Sequence, residues 1–270
     1  MSYPLLMEAD QLEKLLGDEQ LLIVDLTKAT DFVSCHIPGA RFIDYPRIVG
    51  INKPVMGLLP EQVVLEGTLR SIGLNNDMHV VAYDEEGGGK AGRLLWTLEC
   101  FGHTNYSLLN GGIQAWISEG HAIESGPMFP CTPGNFSAQK VEAPIATREE
   151  ILEQLDNYDT VLLDARSPEE YAGTKRYANR GGRIPGAINW DWVNLFDRDN
   201  HFRMHNLDEL QETLNGMGIT ADKTVINYCH THHRSSLTYI LLKILGYPNI
   251  KGYPGSWSDW GNREDTPIET

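Results

Sequence analysis

The stretch NYCHTHHRSS, residues 227–236, puts a cysteine, three histidines, an arginine and two serines within ten positions. Cys229, His230, Thr231, His232, His233 and Arg234 are groups able to attack an electrophile, hold an anion or ligate a metal. Cys229 follows the β-branched run TVINY and precedes the apolar stretch SSLTYILLKILGY. It therefore sits where a strand ends and a helix begins, with Ser235 or Ser236 as the expected cap. In that place loop N–H groups and the helix dipole favour a thiolate, and Arg234 can hold an anion. A nucleophile site is thus complete within one loop. A metal site would draw on the same ligand types, but adjacent side chains on a tight loop diverge and no second ligand cluster completes a tetrahedron. Neither a metal nor a cofactor is expected. The third reading is a buried structural thiol beside solvated histidines, since free cysteine is commonly buried.

The elements that must position this loop are legible from an internal repeat. LLIVD at 21–25 returns as VLLD at 161–164, and HIPGARF at 36–42 returns as RIPGAIN at 183–189. VVAYD at 80–84 returns as VINYC at 225–229, and FGHTNYSLLNGGIQAW at 101–116 as LGYPNIKGYPGSWSDW at 245–260. Short β-branched runs alternate with longer amphipathic stretches such as LDELQETLNGMGI, which predicts an α/β fold: two tandem domains, each a parallel sheet flanked by helices. The expected boundaries are 1–123 for the first domain, 124–143 for a Pro- and Gly-rich linker and 144–270 for the second. Ligands bind at the carboxyl ends of strands in such sheets, which is where Cys229 lies. At the equivalent place the first copy carries Asp84 followed by EEGGGKAGR, a loop incapable of thiolate chemistry. One domain is expected to be active and the other structural, with Asp84 as a turn and cap residue in preference to a catalytic acid.

Composition narrows the partners. The 270 residues carry a formal charge of −15, which leaves too few cations to neutralise phosphates and excludes nucleic acid or an anionic membrane as a general partner. No run of about 18 apolar residues and no basic-then-apolar start occurs, so a cytoplasmic location is expected. Cys35, Cys100, Cys131 and Cys229 are too scattered for a disulfide framework, and the first three have no evident role.

The tandem repeat, the two IPGA segments, the GGIQAW segment at 111–116 and a cysteine opening a six-residue loop resemble the two-domain rhodanese family of sulfurtransferases. The resemblance spans essentially the whole chain and includes the family's pairing of a catalytic second domain with an inactive first one bearing Asp. The loop Cys-His-Thr-His-His-Arg departs from the Cys-Arg-Lys-Gly-Val-Thr of thiosulfate-using members and the Cys-Gly-Ser/Thr-Gly-Val-Thr of mercaptopyruvate-using ones. It is closest to a bacterial rhodanese loop reading Cys-Gln-Thr-His-His-Arg. Where many members carry an arginine, this chain has Glu170. Arg180 occupies roughly the place where mercaptopyruvate-type members hold the substrate carboxylate, and Arg183 replaces the histidine of the first IPGA segment; for Arg183 and Arg166 an ion pair with a carboxylate such as Asp164 is an equal alternative. Trp190, Trp192 and Trp257 fall where the family walls its pocket, or else they are core.

The resemblance implies that the Cys229 thiolate takes sulfur from a small-molecule donor, thiosulfate or alternatively 3-mercaptopyruvate, as a persulfide stabilised by loop N–H groups, Arg234 and partly protonated histidines. The acceptor would be cyanide, a thiol or a thioredoxin-like protein, and the chain is expected to be a monomer. Two other classes stay open: a persulfide-binding relay module, and a phosphatase of the Cys-x5-Arg type, whose loop is one residue longer than the one here.

Overall fold

Four β-branched runs, LLIVD, HVVAY, TVLLD and TVINY, form the centres of two parallel sheets. The structure, a computed structural model, describes residues 3–270. The first half runs β1 (Leu6–Met7), α1 (Ala9–Glu13), β2 (Leu21–Asp25), α2 (Ala29–Ser34), β3 (Arg41–Phe42), β4 (Gly50–Asn52), β5 (Val55–Leu58), α3 (Gln62–Ser71), β6 (His79–Tyr83), α4 (Gly89–Cys100), β7 (Tyr106–Leu109) and α5 (Gly112–Ser118). The second half runs α6 (Arg148–Gln154), β8 (Thr160–Asp164), α7 (Pro168–Tyr171), β9 (Ile188–Asn189), β10 (Phe196–Asp197), β11 (Arg203–Met204), α8 (Leu207–Gly216), β12 (Thr224–Tyr228), α9 (Arg234–Ile244), β13 (Ile250–Gly252) and α10 (Ser256–Trp260).

The strand order is β1-β7-β6-β2-β3 in one sheet and β13-β12-β8-β9 in the other, with every pairing parallel. Apart from β1 the two orders are the same, as the sequence repeat requires. Both sheets are covered by helices, so their strands are apolar on both faces. The helix after the critical loop is the most buried in each repeat: Leu237, Ile240, Leu241 and Leu242 of α9 and Leu94, Leu95 and Trp96 of α4 are fully buried. Each aliphatic side chain so buried contributes roughly 1.5–3 kcal/mol. Glycines in left-handed conformation, Gly218 and Gly246, follow α8 and α9 and stop them. In the second sheet the chain leaves β8 for β9 on one side and returns to β12 on the other. The crevice outside the ends of β8 and β12 is therefore the expected ligand position.

The chain divides into two units whose boundaries are not those of the repeat. One comprises the chain up to Ile48 together with Pro60–Lys140 and Phe196–Met204; the other comprises Val49–Leu59, Val141–Leu195 and His205–Thr270. The antiparallel hairpin β4–β5 thus belongs to the second unit, and the hairpin β10–β11 to the first. The segment 124–143, expected as a linker, groups with the first unit up to Lys140. Glu124 forms a bridge with His36, Gly134 N–H donates to the Arg70 carbonyl, Gln139 N–H donates to the Phe101 carbonyl, and Phe136 is buried. Its Pro and Gly content removes any periodicity, but its backbone groups find partners on loops of the unit.

Candidate active site

Cys229 is the first residue beyond β12 and is completely buried. Its N–H donates to Ser256 Oγ at 3.3 Å and its carbonyl accepts the Trp257 N–H at 3.0 Å. The next carbonyl, of His230, accepts the Ser258 N–H at 2.9 Å. With both sides of its backbone fixed, the thiol points into the curl of the loop. There Sγ accepts hydrogen bonds from the Ser235 hydroxyl, the Ser235 N–H and the Thr231 N–H. The helix α9 starts at Arg234, with His233 as its N-cap and no side-chain cap. This differs from the serine cap expected from sequence: Ser235 lies inside the first turn, and its free N–H is an orphan helix donor aimed at sulfur. Burial alone would raise the thiol pKa. The Arg234 charge and these hydrogen bonds outweigh burial and hold it below the ordinary cysteine value.

Ser235 is a site residue the sequence reading missed as a participant. Its hydroxyl lies 2.7 Å from His232 Nδ1, and both residues are fully buried. If the hydroxyl donates to sulfur, Nδ1 carries the proton and donates to Oγ, which fixes the tautomer of His232. His232 reaches this position through a left-handed backbone, φ 52°, an unusual conformation for a residue other than glycine. The signal available in sequence was only a serine directly after the loop arginine.

The three histidines of the loop are placed differently from one another. His232 is interior, and burial pushes the His230 imidazole below its ordinary value, so that it is neutral at pH 7. His230 lies 5.7 Å from the Tyr177 ring and His233 lies 6.1 Å from the Trp192 ring, both partly exposed. Trp192 thus has its ring beside the loop. Trp190 and Trp257 are buried, Trp257 with its indole N–H on the Arg180 carbonyl and the Arg166 guanidinium 4.5 Å from its ring.

The arginines sort differently from the expectation. Arg234 donates from Nη1 to Glu170 Oε2 at 2.6 Å and from Nη2 to Glu170 Oε1 at 2.9 Å. Arg166 is bound to Asp164 at the end of β8, as the ion-pair alternative held, with Nε 2.9 Å from Oδ1. Arg180 and Arg183, carried as substrate-binding candidates, are engaged by the C-terminal segment. Arg180 donates to the carbonyls of Trp260 and Thr266 and to the Thr266 hydroxyl. Arg183 pairs with Glu269, whose carboxylate also accepts the Gly186 N–H at 3.0 Å. The first repeat repeats this second tie: His36 bridges Glu124, whose carboxylate accepts the Gly39 N–H at 3.1 Å. The pairing of Arg183 with Glu269 thus has a counterpart in the first repeat, where Asp84 stands in place of the cysteine.

The first unit supplies an internal control for the cradle. Asp84 Oδ1 accepts the N–H groups of Glu86 and Gly88, and Oδ2 accepts that of Ala91 in the first turn of α4. The carboxylate therefore fills with its own oxygens the array that faces sulfur in the second unit. Burial, followed by the charge of Glu86, pushes its pKa up to about 6 against the pull of those N–H groups. Each loop is backed by a hairpin from the other half of the chain. A Cβ on Gly87 would lie 2.9 Å from the Phe196 ring at the start of β10. A Cβ on Gly57, at φ +73° in β5, would lie 2.0 Å from the Thr231 carbonyl oxygen. Beside it, Met56 N–H donates to Ser258 Oγ at 2.9 Å.

Residues 8–119 and 147–263 each match the rhodanese-like domain. The chain is similar to the thiosulfate sulfurtransferase of Pseudomonas aeruginosa, 44% identical over 266 residues, which are 98% of this chain and 97% of that one. It is similar to the thiosulfate sulfurtransferase of Azotobacter vinelandii, 41% identical over 268 residues, 99% of this chain and 98% of that one. Among solved structures it is similar to the 3-mercaptopyruvate sulfotransferase SseA of Escherichia coli, with a TM-score of 0.84, 27% identity, and coverage of 94% of this chain and 99% of that one.

Proposed function

Because this chain belongs to the rhodanese family, with rhodanese-like domains over residues 8–119 and 147–263, we propose that it is a thiosulfate sulfurtransferase that carries sulfur as a persulfide on Cys229. The observation that carries this reading is a buried thiol with three hydrogen-bond donors on its sulfur and the Arg234 charge lowering its pKa. The thiolate attacks the outer sulfur of thiosulfate. A new S–S bond forms to Cys229 while the donor's S–S bond breaks, and sulfite leaves with the electron pair. Cyanide or a thiol then attacks the terminal persulfide sulfur; with cyanide, thiocyanate forms and the thiolate is restored. The Ser235 and Thr231 N–H groups stabilise the thiolate on Sγ, and after transfer the persulfide carries its charge on the outer sulfur, one S–S bond away.

Thiosulfate is favoured as donor for two reasons. The curated relatives at 41% and 44% identity are thiosulfate sulfurtransferases. Arg180, the candidate clamp for a mercaptopyruvate carboxylate, has its Nη groups on Trp260 and Thr266. The protein acts as a monomer in this proposal, with cyanide, a small thiol or a thioredoxin-like protein as acceptor. The test is thiocyanate formation with cyanide, comparing kcat/KM for thiosulfate and 3-mercaptopyruvate. Preference for thiosulfate is expected, and preference for mercaptopyruvate would overturn the donor assignment. Cys229→Ser should abolish transfer with folding intact; residual transfer would sink the covalent carrier.

A further inference from the structure

The cation of this site does not face the sulfur donor alone. Both Nη groups of Arg234 are bonded to the two carboxylate oxygens of Glu170, which is only 3% exposed. Glu170 is itself held by the local sequence Ser-Pro-Glu-Glu. Ser167 caps α7 and accepts the Glu170 N–H, while the Ser167 N–H donates back to Glu170 Oε2. Burial alone would raise the Glu170 pKa, but the hydrogen bonds and charge of Arg234 hold it below the usual carboxylate range, so it is ionised at neutral pH. The thiolate, Arg234 and Glu170 together thus bring one positive and two negative charges to the loop.

The surrounding charges do not restore the balance. Arg166 and Asp164, from the end of β8, are paired with each other. Asp191, half-buried ahead of the 192–195 turn, adds a carboxylate that feels both Arg234 and Glu170. Glu169 and Lys175 act on Glu170 from the solvent side, and His230 is neutral.

We propose that Glu170 is a specificity-determining residue: by neutralising Arg234 it limits the site's affinity for doubly charged sulfur donors and so narrows the preference for thiosulfate over singly charged donors. The inference rests on the sulfurtransferase reading above and names what sets its selectivity. An uncancelled charge acts on a dianion twice as strongly as on a monoanion. Glu170→Gln keeps the shape and one acceptor for Arg234 while removing the charge. It should raise the ratio of kcat/KM for thiosulfate to kcat/KM for 3-mercaptopyruvate about tenfold, chiefly through the thiosulfate KM. Glu170→Asp, which keeps the charge, should stay near the parent ratio. An unchanged or lowered ratio in a folded Glu170→Gln protein overturns the proposal.

Two further measurements guard against other failures. The pH midpoint of Cys229 alkylation by iodoacetamide reads the site's charge without any donor, and so tests the inference even in a protein that transfers no sulfur. The midpoint should fall in Glu170→Gln, and a midpoint that stays or rises counts against the proposal. Should that variant not fold, the double variant E170Q/R234Q removes both charges together and should keep the parent's selectivity within about threefold. A loss of the thiosulfate preference in the double variant, with use of 3-mercaptopyruvate retained, would show Arg234 acting on the donor uncancelled and would equally overturn the idea.

Discussion

The sulfur of Cys229 is held by three hydrogen bonds and one nearby cation, and these can be removed separately. The Ser235 hydroxyl is the donor least tied to the fold, because Ser235→Ala leaves its N–H in place. A hydrogen bond to a charged group contributes about 1.5–3 kcal/mol, so this change should raise the alkylation midpoint by about one unit or more. The sign of the pH dependence follows from the reacting form. Alkylation and thiosulfate turnover rise as pH climbs through the thiol pKa and are lost as it falls, with a midpoint below that of an ordinary free cysteine. A parent midpoint at or above that value would contradict the lowered thiol pKa. A Ser235→Ala profile overlying the parent would show that the hydroxyl does not serve the sulfur. Because His232 Nδ1 is 2.7 Å from that hydroxyl, its effect should largely disappear once Ser235 is alanine.

At the scale of elements, the loop is held between α10 and the hairpin β4–β5. Ser256, Trp257 and Ser258 bind the backbone of Cys229 and His230, while Gly57 packs on the Thr231 carbonyl. Thr231 also supplies an N–H to the sulfur, so a displaced peptide here disturbs the cradle. Gly57→Ala should therefore lower kcat/KM by at least about tenfold. Gly39→Ala is the matched control: that glycine is also left-handed, at φ +75°, but its Cβ would meet nothing within 4 Å. It should cost about 1–2 kcal/mol of stability and leave transfer near the parent level. Equal losses of activity in the two variants would assign the effect to backbone strain instead of the loop contact.

Over the whole molecule, duplication produced two cradles, one filled by its own side chain. Asp84 is buried with a pKa of about 6, above the value near 3.9 of an unfolded chain. Between those values the folded state holds a proton that the unfolded state has released. This group's contribution to stability is thus full below about pH 4 and declines as pH rises through about 6, by no more than about 3 kcal/mol. Asp84→Asn removes that titration but turns an amide N–H₂ toward backbone donors. It should unfold at lower urea than the parent at pH 4, by about 1–3 kcal/mol, with the difference shrinking towards pH 7. Cys229 alkylation should be unchanged. A constant difference across the pH range would place the titration elsewhere.

The repeat, its parallel strands, and the places of Cys229 and Asp84 at equivalent strand ends were legible in the sequence because each depends on local pattern: β-branched runs, a glycine after each helix, and one residue at the end of a strand. The ion-pair alternative for Arg166 was legible too, since its partner lies two residues away. Partners distant along the chain were not. Nothing local marks Arg180 as bound to Thr266, Arg183 to Glu269 or Arg234 to Glu170, and nothing distinguishes the interior His232 from the histidines on either side. The exchange of hairpins between the two units was equally invisible. Sequence thus determined which groups stand at the strand end, whereas tertiary structure decided which of their charges are cancelled, because that depends on what the fold brings within a few ångströms in a medium that screens weakly.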